Sequence, residues 1–149
     1  MIGCGTGVAP YRGFIQNRAI FKQTSPSSMI GNMILFYGCR NKNIDYLFED
    51  ELQKYYHDGI LSHIFCAFSR DSEKKYYITQ EIIKNKSLIW LNLQKGAHIY
   101  ICGEAAKILK DVQEAIYIAI QGTSNMDDSQ VINYVKDMNR KGRYCVDVW

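Results

Sequence analysis

Short apolar runs rich in β-branched and aromatic residues alternate along the chain with longer stretches of helical periodicity. Met1 to Ile2, Met33 to Tyr37, Ile64 to Phe68 and His98 to Cys102 read as strands. Tyr11 to Lys22, Leu47 to Tyr56, Tyr77 to Leu93 and Ala105 to Gln121 carry helical patterns, each long enough to be a crossover. A final helix, Ser129 to Asn139, precedes a last strand near Tyr144 to Val148. This alternation predicts an α/β fold, an open parallel sheet of about five strands with helices on both faces. Thr24 to Asn32 and Gly122 to Asp128, rich in Ser, Gly, Asn and Pro, read as surface loops. No internal repeat or low-complexity tract interrupts the pattern.

At 149 residues the length is that of one compact domain, and 47% hydrophobic with 22% charged residues is an ordinary globular balance. The first strand is short, because the glycine turn beginning at Gly3 leaves two residues before it. A central strand that starts this abruptly predicts that residues 1–149 are one domain of a longer protein. Five cysteines form no Cys-x-x-Cys pair, and an odd number cannot all close within one chain, so they read as reduced thiols in a reducing compartment. No apolar run approaches the roughly 18 residues of a membrane span, and the N-terminus lacks a signal-peptide pattern. The net charge of +3 does not by itself indicate a nucleic-acid partner. Its distribution is uneven: residues 1–44 hold Arg12, Arg18, Lys22, Arg40 and Lys42 and no carboxylate. That stretch could hold an anion, and it also leaves open a basic nucleic-acid-binding module.

Three strands end in Gly or Cys followed by polar residues, at Gly3 to Gly7, Gly38 to Arg40 and Cys102 to Glu104, and ligands of open parallel sheets sit at those ends. In the first, Gly5, Thr6 and Gly7 stand between a strand and a helix that Pro10 helps to start. Glycines there let a pyrophosphate approach the main chain, although a plain tight turn would look similar. A fingerprint for NAD wants an acid about 20 residues on. Near that offset stand Thr24, Ser25 and Ser27, which shifts weight towards a 2′-phosphate or a different fold. Ser69 and Arg70 close the third strand, with Lys75 and Tyr77 six and eight positions after the serine. A guanidinium, an ammonium, a hydroxyl and a phenol make a set suited to a phosphomonoester, the alternative being a solvated basic loop.

Gly-Cys-Gly-Thr-Gly-Val-Ala-Pro at 3–10 resembles the element opening the NADP(H) domain of ferredoxin–NADP reductase relatives, and Gly13 to Arg18 resembles its continuation. Leu35 to Arg40 with Asp45 to Phe48, Ser69-Arg70 with Lys75 and Tyr77, His98 to Glu104, and the ending Gly142-Arg143-Tyr144-Cys145-Val146-Asp147-Val148-Trp149 are similar to successive blocks of the diflavin reductases. The chain is identified on these residues as similar to that family, nearest its P450-reductase branch. The fold implied is the ferredoxin–NADP reductase-like NADP-binding domain, and the activity implied is NADPH-dependent flavoprotein oxidoreduction.

The resemblance also implies roles. Arg40 matches an arginine on the pyrophosphate, while Ser69, Arg70, Lys75 and Tyr77 match the 2′-phosphate signature, favouring NADPH over NADH. Thr79 stands where a glutamine is usual. Cys102 and Asp147 match residues that orient the nicotinamide. Glu104 replaces a usual aspartate, Ile108 a frequent methionine, and Trp149 matches the ring that covers the FAD. Partners implied are FAD and FMN domains of the same protein and a downstream hemoprotein such as a cytochrome P450, with no nucleic acid. The location implied is the cytoplasmic side, the intact protein being one that can be anchored to the endoplasmic reticulum membrane. The piece alone should bind cofactor without turnover. A single-flavin reductase or another diflavin enzyme stays open.

Overall fold

The computed structural model describes the backbone of residues 1–149 and every side chain except those of 105–108. Five parallel strands form one sheet: β1 (Ile2–Cys4), β2 (Ile34–Cys39), β3 (His63–Phe68), β4 (Ile99–Gly103) and β5 (Tyr144–Val148), in the order β3-β2-β1-β4-β5. Among the helices are α1 (Ala9–Thr24), a single turn α2 (Lys42–Asp45), α3 (Glu49–His57), α4 (Ile78–Lys84), α5 (Lys86–Gln94), α6 (Ala105–Gln121) and α7 (Asp128–Arg140). The fold is therefore the open five-stranded parallel α/β sheet that the alternating pattern predicts.

Strand alternation divides the apolar residues between two layers. Leu35, Tyr37, Cys39 and Cys102 face α1 and α3 and pack with Val8, Tyr11, Ile15 and Leu52. Ile2, Phe36, Ala67, Ile99, Ile101 and Tyr144 face the other way, onto Ile78 and Ile82 of α4, Ala115, Ile116, Ala119 and Ile120 of α6, and Val131, Val135 and Met138 of α7. Tyr11 ties α1 to the sheet, its buried hydroxyl donating to the Ile2 carbonyl at 3.0 Å. On the α1 side, His98, Tyr100, Cys145 and Asp147 of the β4–β5 half remain exposed or half-buried.

Three boundaries differ from the sequence expectation. The stretch Tyr77 to Leu93 is two helices, because the Asn85 side chain turns back to donate to the Glu81 carbonyl at 2.9 Å and its carboxylate at 3.0 Å. An asparagine that satisfies the preceding turn in this way competes with continuation of the helix. The helix expected from Leu47 starts at Glu49, after Phe48 takes a left-handed backbone (φ 62°). Tyr37 clamps that corner, donating to the Asp45 carbonyl and accepting from the Leu47 amide. Finally, β1 runs on through Gly3 and Cys4, since these residues pair with Tyr37 and Gly38 of β2, and the turn begins at Gly5.

Candidate functional site

The order β3-β2-β1-β4-β5 puts a switch point between β1 and β4, where successive connections leave for opposite faces. A crevice opens there at the carboxyl ends. Gly5–Val8 forms a 3-10 turn between β1 and α1. Gly5 has φ +55° with open space where a side chain would point. Gly7 answers a different need: a Cβ there would lie 2.2 Å from the Cys102 carbonyl oxygen. Its bare backbone lets the turn rest on the end of β4. The α1 start has no capping side chain and no acid in its first turn. The Ala9 amide donates to the Thr6 carbonyl and Pro10 carries no amide proton, so the amides offered to an anion are those opening the Gly5–Val8 turn. Thr6 is exposed beside them.

At the ends of β2 and β3 the Arg70 amide donates to the Arg40 carbonyl at 2.8 Å, and the Ser69 amide donates to the Cys39 carbonyl at 2.9 Å. This pairing carries Arg40 and Arg70 side by side on neighbouring turns. Asp71 reinforces the link, accepting from the Asn41 side chain and from the Lys42 amide. Among the described residues, the side chains of Arg40, Arg70 and Lys75 enter no ion pair or hydrogen bond, and all three are exposed. Tyr77 is 45% exposed. Thr79 lies in the first turn of α4, and Gln80 beside it is committed, its amide oxygen accepting the Tyr77 N–H at 2.7 Å. Asp71 and Gln80 were not expected from the sequence, and only a polar residue next to each clamp position hinted at them.

The cations of the acid-free stretch 1–44 meet different partners. Arg12 meets Glu51 at 2.6 Å and lies over the Phe48 ring, and Lys42 reaches Glu49 at 3.7 Å. Arg18 donates to the Gly31 carbonyl, and Lys22 to the carbonyls of Asp58 and Gly59. Arg40 is the member of the five left unpaired among the described residues. Two of the five cations thus meet carboxylates, while Arg18 and Lys22 keep their charge on carbonyl partners.

Across the crevice, Cys102 is 2% exposed and sits in register with Gly3 on one side and Asp147 on the other. Burial raises its thiol, and the Asp147 carboxylate raises it further, so the sulfur is protonated at neutral pH. Asp147, Glu104 and Trp149 are exposed around it. The Trp149 ring is 61% exposed while its amide donates to the Gly103 carbonyl at 3.3 Å. The expectation placed on Ile108 lies outside the described residues.

A family model described as the oxidoreductase NAD-binding domain matches residues 1–114, spanning the glycine turn, both arginine turns and β4. The chain belongs to that family. This oxidoreductase NAD-binding domain is 40% identical over 149 residues to the NADPH–cytochrome P450 reductase of Homo sapiens and 41% identical over 150 residues to that of Mus musculus. It is also 40% identical to the Salmo trutta protein of the same name. All of this chain is covered in each case, but only 22% of the human and mouse proteins and 25% of the trout protein. Among the described residues no helix is long and apolar enough to cross a membrane.

The buried thiols give the domain a pH signature. Burial pushes Cys4 and Cys39 from an ordinary 9.0 to about 12. A folded-state value above the unfolded one means that unfolding releases protons as the medium turns alkaline. The contribution of these two thiols to stability is therefore fully present below about pH 9 and lost progressively towards about pH 12. Urea midpoints should fall steadily over that window, and a flat profile would show the thiols to be solvated.

Proposed function

We propose that this domain binds NADPH and presents its nicotinamide to FAD within a diflavin reductase of the P450-reductase type. The observation that carries this reading is the pair of neighbouring turns bearing Arg40 and Arg70, unpaired among the described residues, with Lys75 and Tyr77 on the same loop as Arg70. Phosphate oxygens would occupy donors that the fold otherwise leaves unused. In this reading the amides of the Gly5–Val8 turn would receive the pyrophosphate, together with Thr6 and Arg40. Ser69, Arg70, Lys75 and Tyr77 would hold the 2′-phosphate, a guanidinium being able to bond two phosphate oxygens and a hydroxyl or phenol one. Thr79 would supply a hydroxyl at the adenosine end, and Glu104 would complete the pocket wall.

Bound NADPH supplies a hydride from nicotinamide C4 to flavin N5, a transfer that needs positioning more than acid or base. Cys102 contributes a protonated, uncharged thiol at the floor of the crevice. Asp147, opposite it on β5, contributes a carboxylate able to stabilise positive charge developing on the nicotinamide. Trp149 holds an exposed ring at the rim, fixed through its backbone to Gly103, where it can cover a flavin and give way to nicotinamide. The half-exposed β4–β5 face around His98, Tyr100 and Asp147 suits the FAD domain of the same protein, with an FMN domain and a hemoprotein acceptor such as a cytochrome P450 further along. The intact protein would then face the cytoplasm, anchored at the endoplasmic reticulum membrane.

Calorimetry with NADP⁺ and NAD⁺ tests the reading directly. Binding of NADP⁺ at least about 100-fold tighter is expected from two charge-assisted contacts. Equal affinities would reject the 2′-phosphate assignment. A random oligonucleotide bound with steep salt dependence, and no dinucleotide binding, would favour a nucleic-acid module instead.

A further inference from the structure

The loop between β3 and α4 carries the proposed 2′-phosphate contacts but has no regular backbone from Arg70 to Tyr77. Its first residues are anchored to the β2 end by the Ser69 and Arg70 amides. Beyond Asp71, which accepts from the Asn41 side chain and the Lys42 amide, its middle makes only a local contact among the described residues, the Ser72 hydroxyl donating to the Lys74 carbonyl at 2.7 Å. What fixes its far end is therefore the question that bears on Lys75 and Tyr77.

Glu81 answers it. At 8% exposure it is the buried charged residue among the described side chains, and its carboxylate accepts from the Tyr76 hydroxyl at 2.7 Å. The Asn85 amide at 3.0 Å and the Lys84 ammonium at 3.5 Å complete its partners. Burying a carboxylate is costly unless it is well hydrogen-bonded, and an apolar residue could fill the same space. The Tyr76 ring packs on the core between α4 and the sheet. Residues on either side of an inward-pointing side chain in extended backbone point outward. Tyr77 has extended angles (φ −108°, ψ 159°), and both Lys75 and Tyr77 are exposed. Seating Tyr76 thus turns the ammonium and the phenol out of the core together. The bond persists through neutral pH, since the carboxylate raises the Tyr76 hydroxyl to about 12.

We propose that Glu81, acting through Tyr76, is a positioning residue that sets the cofactor preference of the clamp loop by holding Lys75 and Tyr77 in place for a 2′-phosphate. The inference rests on the NADP(H) reading above. It makes Glu81 and Tyr76 determinants of specificity without either touching the cofactor.

The test uses the 149-residue chain and two probes, 2′-phospho-AMP and 5′-AMP, with the ratio of their dissociation constants as readout. Tyr76→Phe keeps the ring and loses only the hydroxyl. It should weaken 2′-phospho-AMP binding about fivefold, the effect of one lost hydrogen bond, and leave 5′-AMP unchanged. Glu81→Leu should lower the ratio similarly, and the double variant should be no worse than either single one, because all three lack the same bond. A merely structural role would lower the melting temperature while preserving the ratio, and that result in Tyr76→Phe would overturn the proposal with the NADP(H) reading intact. A wild-type chain that fails to distinguish the two probes would overturn both.

Discussion

Replacing Arg70 and Lys75 together by alanine is expected to weaken 2′-phospho-AMP binding by about 100-fold or more while 5′-AMP affinity stays within about twofold. Each cation can make charge-assisted bonds worth roughly 1.5–3 kcal/mol in the dry limit, and solvent screening at these exposed positions brings the pair towards the lower end. Both side chains lack an internal partner among the described residues, so their removal should leave stability almost unchanged. Titration calorimetry of wild type and double variant with both nucleotides measures the effect. Retained discrimination would move the 2′-phosphate away from this loop. Arg40→Ala offers a contrast, since a pyrophosphate contact would weaken NADP⁺ and NAD⁺ alike.

Gly7→Ala is expected to destabilise the domain by about 3 kcal/mol and to lower its melting temperature by roughly 6–12 °C. The added methyl group would stand 2.2 Å from the Cys102 carbonyl oxygen, 2.6 Å from its carbon and 2.9 Å from the Gly103 nitrogen. All three are backbone atoms of β4, so relief requires lifting the glycine turn off the sheet. Cofactor affinity should fall too, because the turn and the crevice floor separate. Gly5→Ala meets no atom and suffers only its positive φ, a cost of about 1–2 kcal/mol. Thermal unfolding of the two variants side by side is decisive: a smaller loss in Gly7→Ala than in Gly5→Ala would contradict the packing argument.

The two glycines illustrate how the site was legible. From the sequence both belong to one phosphate-type turn, and nothing local separates them. Gly5 is needed for its own backbone angle, a local property that a glycine announces. Gly7 is needed because β4, nearly a hundred residues later, passes beneath it. In the acid-free first 44 residues the carboxylate partners of Arg12 and Lys42, Glu51 and Glu49, lie beyond the stretch on α3, where local composition does not show them. Glu81 escaped notice because an acid on a helix normally reads as a solvated face, and only its burial beside Tyr76 distinguishes it.

Amino-acid order by itself determined the five strands, the run of helices between them and the turn chemistry at their ends, because period-2 and period-3.6 burial and glycine or proline geometry act between near neighbours. It also carried the motifs by which the family is recognised. The break at Asn85 and the extension of β1 through Cys4 needed the packed structure, as each depends on which groups a side chain or amide finds within reach. Tertiary structure alone decided the strand order β3-β2-β1-β4-β5, the register of Cys102 with Asp147, and the backbone bond that sets Arg40 beside Arg70. These are pairings between residues far apart in the chain, settled by how two apolar layers close on one sheet, and no local pattern encodes them.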